Sequence, residues 1–151
     1  MDRDEWIRVF YRVYRLATTP PTPALMVEAA RLSMNVGELI ACYSTAAQLH
    51  GLAVLEDSAV HVMASERRSS RPGLVVHRDR VRSEDIRRIG NTRATSPTRT
   101  AVDMARTLNR LDALATLDSA IRRGVARDAM QNEVVRHAGK RGVGQASELV
   151  A

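Results

Sequence analysis

Aromatic side chains are scarce in this chain of 151 residues: one Trp, three Tyr and one Phe, 3% in all. A core must therefore be built from Ala, Val, Leu, Ile and Met, and an apolar content of 44% is enough for one. Cysteine is reduced to Cys42. That excludes a disulfide framework and a cysteine-based zinc site, and its apolar context marks Cys42 as a small core residue rather than a nucleophile. No apolar run approaches the ~18–20 residues that cross a membrane. The opening "MDRDEWIRVFYRVYRL" is charged throughout and has no signal-peptide core. These absences point to a cytoplasmic protein with no membrane partner, and an initial Met ahead of a charged strand leads us to expect a complete gene product.

Lysine is nearly missing too. The chain carries Lys140 against 22 Arg. A restriction-type nuclease needs clustered carboxylates for Mg²⁺, usually with a nearby Lys. Lys140 lies in "GKRG", with no Asp or Glu two residues before it. No G-x-S-x-G elbow, P-loop or G-x-G-x-x-G occurs. The expectation is a protein without catalytic residues, cofactor or metal. Of the four His, none pairs with another at helical ligand spacing. His61 and His77 fall on neighbouring predicted strands and could meet; with a carboxylate they would resemble a metal site, although half-buried or solvated His is the commoner outcome.

What is abundant is positive charge. The formal net charge is +6, which points to an anionic partner, most often nucleic acid. Arg67, Arg68, Arg71, Arg78, Arg80, Arg82, Arg87 and Arg88 crowd into 22 residues, and Glu66, Asp79, Glu84 and Asp85 leave four of them in excess. Arginines in loops suit phosphate contacts and minor-groove insertion, so these eight are the candidate nucleic-acid surface; a solvated rim is the plainer alternative.

The punctuation of the chain predicts its elements. "WIRVFYRVYRLA" reads as one strand or a tight hairpin. Thr22 as N-cap and Pro23 at the first position start a helix over 23–34, with Leu25, Ala29 and Leu32 on one face. A second helix follows "ELIAC", capped by Ser44 and stopped at Gly51. "AVHVMA" and "GLVVHRD" read as strands, and Gly90-Asn91 as a two-residue hairpin turn with both residues suited to positive φ. Ser96 and Pro97 open a helix to about Leu108. The next, over 110–124, places Leu111, Leu114, Leu117 and Ile121 at helical spacing. Helices over 126–139 and from 142 onward complete an α+β fold: a small mixed or antiparallel sheet with flanking helices and a helical C-terminal third.

Arg99 and Asp103 stand four apart on one helix face. An ordinary i,i+4 pair contributes a few tenths of a kcal/mol. Arg99, however, sits in the first turn, where the helix dipole disfavours a cation, so another partner is expected. Ser96, Arg99 and Asp103 are therefore read as structural residues.

Several stretches resemble one family. "WIRVFYRVYRLATTPPTP", "YSTAAQLHGL", "GLVVHRDRVRSEDIRRIGNTRATSPTRTAVDMA", "LDSAIRRGVA" and "GKRGVGQASELV" are similar to successive segments of actinobacterial relatives of AbiEi-type antitoxins. The S-P-x-R-T-x-x-D and L-D-x-A-x-R-R-G pieces are the most specific. The resemblance implies that residues 1–21 are a remnant wing strand or hairpin and linker, with Arg12 where the wing turn has glycine. It implies that 22–151 form a single AbiEi-like α+β domain, without the recognition helices or the Vsr-like endonuclease domain of many relatives. It implies a transcriptional regulator linked to type IV toxin–antitoxin systems and phage defence, opposing a nucleotidyltransferase-like toxin. Expected partners are DNA or a toxin, host or phage protein. The alternative is an interaction module that neutralises such a protein without binding DNA. The weakest reading is an enzyme, a small hydrolase or nuclease fragment.

Overall fold

A computed structural model describes residues 5–151. The first four residues of the expected wing unit lie outside the described residues. An antiparallel hairpin joins β1 (Trp6–Phe10) to β2 (Val13–Leu16). Its turn is Tyr11-Arg12, and Arg12 takes φ +60°, a left-handed conformation that a non-glycine residue adopts at a steric cost. The hairpin thus forms with Arg12 in the place where the resemblance has glycine.

Helix α1 (Pro23–Met34) begins as the sequence requires, the Thr22 hydroxyl accepting from the Leu25 amide, and it ends on Asn35 in the left-handed conformation. Its inward face is not the expected one. Val27, Ala29, Ala30 and Met34 are buried, whereas Leu32 is 53% exposed. The helix lies on the sheet through Val27, Ala29, Ala30 and Met34, the two alanines permitting close approach, and Leu32 is left facing outward.

The main sheet is mixed and runs β5-β4-β3-β7-β6. Strand β3 (Leu39–Ala41) is its centre, antiparallel to β4 (Val60–Ala64) and parallel to β7 (Thr92–Thr95). Strand β5 (Leu74–His77) lies parallel to β4 on one edge, and β6 (Ile86–Ile89) antiparallel to β7 on the other. A two-residue turn joins β6 to β7. Only Gly90 has positive φ there, +58°; Asn91 does not, so the turn needs one flexible residue rather than two. Phe10, α1, β3, β4 and Leu74 share one core.

A second core is helical. Helices α2 (Tyr43–Leu49), α3 (Pro97–Thr107), α4 (Arg110–Arg122), α5 (Arg127–Arg136) and α6 (Val143–Val150) pack around Ala101, Val102, Met104, Ala105 and Met130. Two expectations fail here. Cys42, not Ser44, is the N-cap of α2; Ser44 lies within the first turn and donates to Asp57. Helix α4 turns Ala113, Thr116, Leu117 and Ala120 inward and leaves Leu111, Leu114 and Ile121 exposed by 79%, 50% and 41%. Its inner face must fit against Ala101 and Ala105 of α3, which favours small residues over the leucine stripe. No helix among the described residues is long and apolar enough to cross a membrane.

Candidate functional site

The buried polar groups gather where α3 meets the sheet. Ser96 caps α3 by accepting from the Arg99 amide and gives its own N–H to the Asp85 carbonyl at 2.6 Å. The Arg99 side chain, 3% exposed, spends its fork on two carboxylates: Nε to Asp103 at 2.8 Å and Nη2 to Asp79 at 2.5 Å. Its Nη1 donates to the Arg80 carbonyl at 3.3 Å. This is the further partner that the unfavourable first-turn position demanded. Burial opposes the charge of Arg99, but Asp103 and then Asp79 hold its pKa above the ordinary value.

The seam extends both ways. Asp103 also takes Arg106 at 3.0 Å, and Asp79 takes the Lys140 ammonium. Burial opposes ionisation of Asp79, yet Lys140, the Arg80 amide and Arg99 keep its carboxyl below the usual range. On α5, Glu133 accepts from His137 at 2.9 Å and pairs in charge with Arg136 at 3.1 Å. Arg99, Asp103 and Asp85 are each matched by an opposite charge, which is the condition for tolerating a buried charge at all; Nε of Arg106 and Nδ1 of His137 are the seam's buried polar atoms without a hydrogen-bond partner among the described residues.

A cleft of about 530 Å³ opens beside this seam. Strand β4 carries His61 and β5 carries His77, and the parallel pairing sets Nδ1 of His61 2.8 Å from Nε2 of His77. Asp57 closes on the other nitrogen of His61 at 2.7 Å. An ionised carboxylate only accepts, so Nε2 of His61 carries the hydrogen; in the neutral ring Nδ1 then accepts from His77. Burial works against ionised Asp57, but the Ala59 amide, His61 and Ser44 together keep its pKa below the usual value. Burial first, and His61 second, push His77 down to about 4.

Helix α2 holds the cleft in shape. The Thr45 hydroxyl accepts the His61 amide, and the Cys42 amide donates to the His61 carbonyl. Tyr43, with φ +49°, stacks on His77 at 4.1 Å. A left-handed tyrosine costs of order 1–3 kcal/mol and persists only where its surroundings enforce it. Thr116 and Ser119 of α4 bond the backbone of Ala53 and so anchor the segment that delivers Asp57.

The two histidines therefore meet, but Asp57 stands behind His61 rather than beside both rings. Among the described residues no three His, Cys, Asp or Glu are arranged to hold a metal. Ser44 gives its hydrogen to Asp57, not to an imidazole, so the cleft lacks the nucleophile–base contact of a serine hydrolase. Cys42 is buried, and burial, then Asp103, raise its thiol well above the ordinary value.

The eight arginines do not form one patch. Arg67, Arg68 and Arg71 flank the β5 edge, while Arg87 and Arg88 lie on β6, four strand spacings or about 19 Å away. Arg78, Arg80 and Arg82 lie in the segment between those edge strands. Arg68 pairs with Glu66, and Arg82 with Glu84 and Asp85. Arg71 reaches the Ser33 carbonyl, and Arg87 the carbonyls of Glu84 and Ile86. Sequence reasoning did not single out Tyr43, Asp57, Glu133 or Lys140 as members of these clusters. The only sequence signal for any of them was that Lys140 is the chain's single lysine.

A five-stranded mixed sheet, sealed against a helical layer by a buried arginine, defines a compact α+β domain whose polar groups are drawn into one seam. The chain belongs to the AbiEi antitoxin C-terminal domain family, whose model matches residues 39–151. Similar proteins include two uncharacterized proteins, one from each of two strains of Mycobacterium tuberculosis. Each is 37% identical over 147 residues, which is 95% of this chain and 52% of theirs. The chain thus spans about half the length of the curated relatives it matches. No solved structure matches it.

Proposed function

We propose that this protein is a non-enzymatic, antitoxin-like regulator of a toxin–antitoxin or abortive-infection system, acting in the cytoplasm by binding nucleic acid through its edge arginines. One observation carries the nucleic-acid part: Arg67, Arg71, Arg78, Arg80, Arg87 and Arg88 have no carboxylate partner among the described residues. They are all exposed. The two arginine groups suit two stretches of phosphate backbone, and the hairpin of residues 6–16, read as a wing remnant, would accompany them. A gel shift with the gene's own upstream DNA tests this. Binding should weaken steeply with salt, each lost phosphate contact reducing the log–log slope by about 0.9. No binding at low salt overturns it.

A second reading rests on a different observation, the outward apolar face of α4 at Leu111, Leu114 and Ile121. Such a face suits a protein partner, and this reading expects a nucleotidyltransferase-like toxin as the product of a neighbouring gene. Co-expression should rescue growth from that toxin, and Leu111→Glu with Leu114→Glu should abolish the rescue. Rescue that survives both changes removes the face from the mechanism.

A further inference from the structure

We infer that the cleft between α2, the β4–β5 histidines and the start of α4 receives an arginine side chain presented by a partner protein. The inference is independent of the edge arginines and holds whether or not the protein binds DNA.

Charge singles the cleft out. The chain has 22 Arg and a net charge of +6, yet no Arg or Lys among the described residues lines this cavity. Its carboxylates are Glu56, Asp57 and Asp112. Glu56 has no hydrogen-bond or ion-pair partner among the described residues. Asp57 already takes hydrogens from Ser44, His61 and the Ala59 amide. A carboxylate offers about four lone-pair sites, so one acceptor position remains. An acidic cavity on a basic protein complements a cation.

The rest of the lining specifies which cation. Leu55, Met104 and Leu108 offer an apolar wall for a methylene stem. The stacked Tyr43–His77 pair offers a flat π surface beside the carboxylates. A planar guanidinium uses both, stacking on rings and donating to carboxylates, whereas a compact ammonium gains less from either. The strained Tyr43 backbone fixes that surface in place before any ligand arrives.

The cavity is also accessible to a polymer. Leu55 on its rim is 69% exposed, and Glu56, Asp57 and Ser58 beside it are exposed as well. A polypeptide can lie over Leu55 while one side chain descends. A second copy of this chain would bring together two molecules that each carry a net charge of +6, and that overall repulsion favours a different protein as the source.

The test is a titration of the isotopically labelled full chain with an acetylated, amidated Gly-Arg-Leu-Gly peptide, followed by NMR. Amide signals of Leu55, Ser58, His77 and Met104 should shift saturably. The citrulline counterpart, isosteric and uncharged, should bind about tenfold more weakly. Glu56→Gln, an exposed change that leaves the fold intact, should weaken the arginine peptide about two- to fivefold. Shifts that are absent, scattered away from the cleft, or equal for the citrulline peptide overturn the inference. Butylguanidinium binding as tightly as the peptide would assign the cleft to a free small cation instead. Peptide-free cleft signals that change on dilution would assign it to a second copy.

Discussion

Lys140 closes on Asp79, sixty-one positions earlier, with its ammonium 2.9 and 2.7 Å from the two carboxylate oxygens. The same Asp79 holds Arg99. One carboxylate therefore fastens the turn after α5 and the start of α3 to the residues just beyond β5.

The two cations should differ sharply in their effect on stability. Arg99→Ala takes the shared partner from fully buried Asp103 and from partly buried Asp79 and should cost about 3–5 kcal/mol in urea unfolding. Lys140→Met removes a side chain that is 34% exposed and leaves Asp79 its arginine; about 1 kcal/mol is expected. Equal costs for both changes would show that the seam does not depend on Arg99.

Thiol chemistry should report unfolding rather than reactivity. Cys42 is fully buried and its thiol is pushed well up by burial, then by Asp103. Iodoacetamide should label the native protein at least about a hundredfold more slowly than the unfolded chain. The rate should track denaturant concentration. Rapid labelling of the native state would place Cys42 elsewhere.

Acid should weaken the fold in two separable steps. The unfolded chain protonates His77 near 6.5, the folded one only near 4. Stability is then complete above about pH 6.5 and falls as the pH drops from 6.5 to 4, because the unfolded state takes up the proton first. Discounted for the half-exposed ring, the loss is about 1–2 kcal/mol. His77→Gln should flatten that window. Asp57, Asp79, Asp85 and Glu133, all held below their ordinary values, contribute above the carboxylate range and are lost only at lower pH. A melting temperature that does not change between pH 6.5 and 4 contradicts the histidine arrangement.

Two glycines at the start of α6 should behave oppositely. A Cβ on Gly142, whose φ is +78°, would stand 2.0 Å from the Arg106 carbonyl oxygen. Gly142→Ala should therefore cost about 2–4 kcal/mol. Gly144 meets nothing within 4 Å, and Gly144→Ala should be neutral or stabilise by up to about 1 kcal/mol. Calorimetry of the pair checks both.

Helix starts were readable because their signals are local. Thr22-Pro23 and Ser96-Pro97 each supply a cap hydroxyl and a fixed φ, and both helices begin there. Helix faces were less readable. Leu111, Leu114, Leu117 and Ile121 have the spacing of a buried stripe, but only Leu117 turns inward; against Ala101 and Ala105 of α3 the rest of the inner face is Ala113, Thr116 and Ala120. The choice belongs to the neighbour, not to the segment. The cleft was half legible. Adjacent strands for His61 and His77 could be inferred; the delivery of Asp57 by an irregular segment, and a left-handed Tyr43 with no glycine or asparagine to announce it, could not. Lys140 looked isolated because its carboxylate lies far away in sequence.

The sheet has two borders: β6 is open to pairing with another strand, while β5 is partly covered, Leu74 exchanging both backbone hydrogen bonds with Arg71 and Val76 donating its amide to the Ser70 hydroxyl. Arginines stand at both, Arg71 bridging back to Leu74 and Arg87 and Arg88 studding β6. Their charge therefore also keeps molecules from zipping together edge to edge. Neutralising them to dissect nucleic-acid binding should make the protein self-associate and precipitate on its own. Charge reversal to Glu would remove the proposed attraction for phosphate while keeping the borders guarded, so Arg87→Glu with Arg88→Glu is the pair that separates the proposed nucleic-acid role from edge protection.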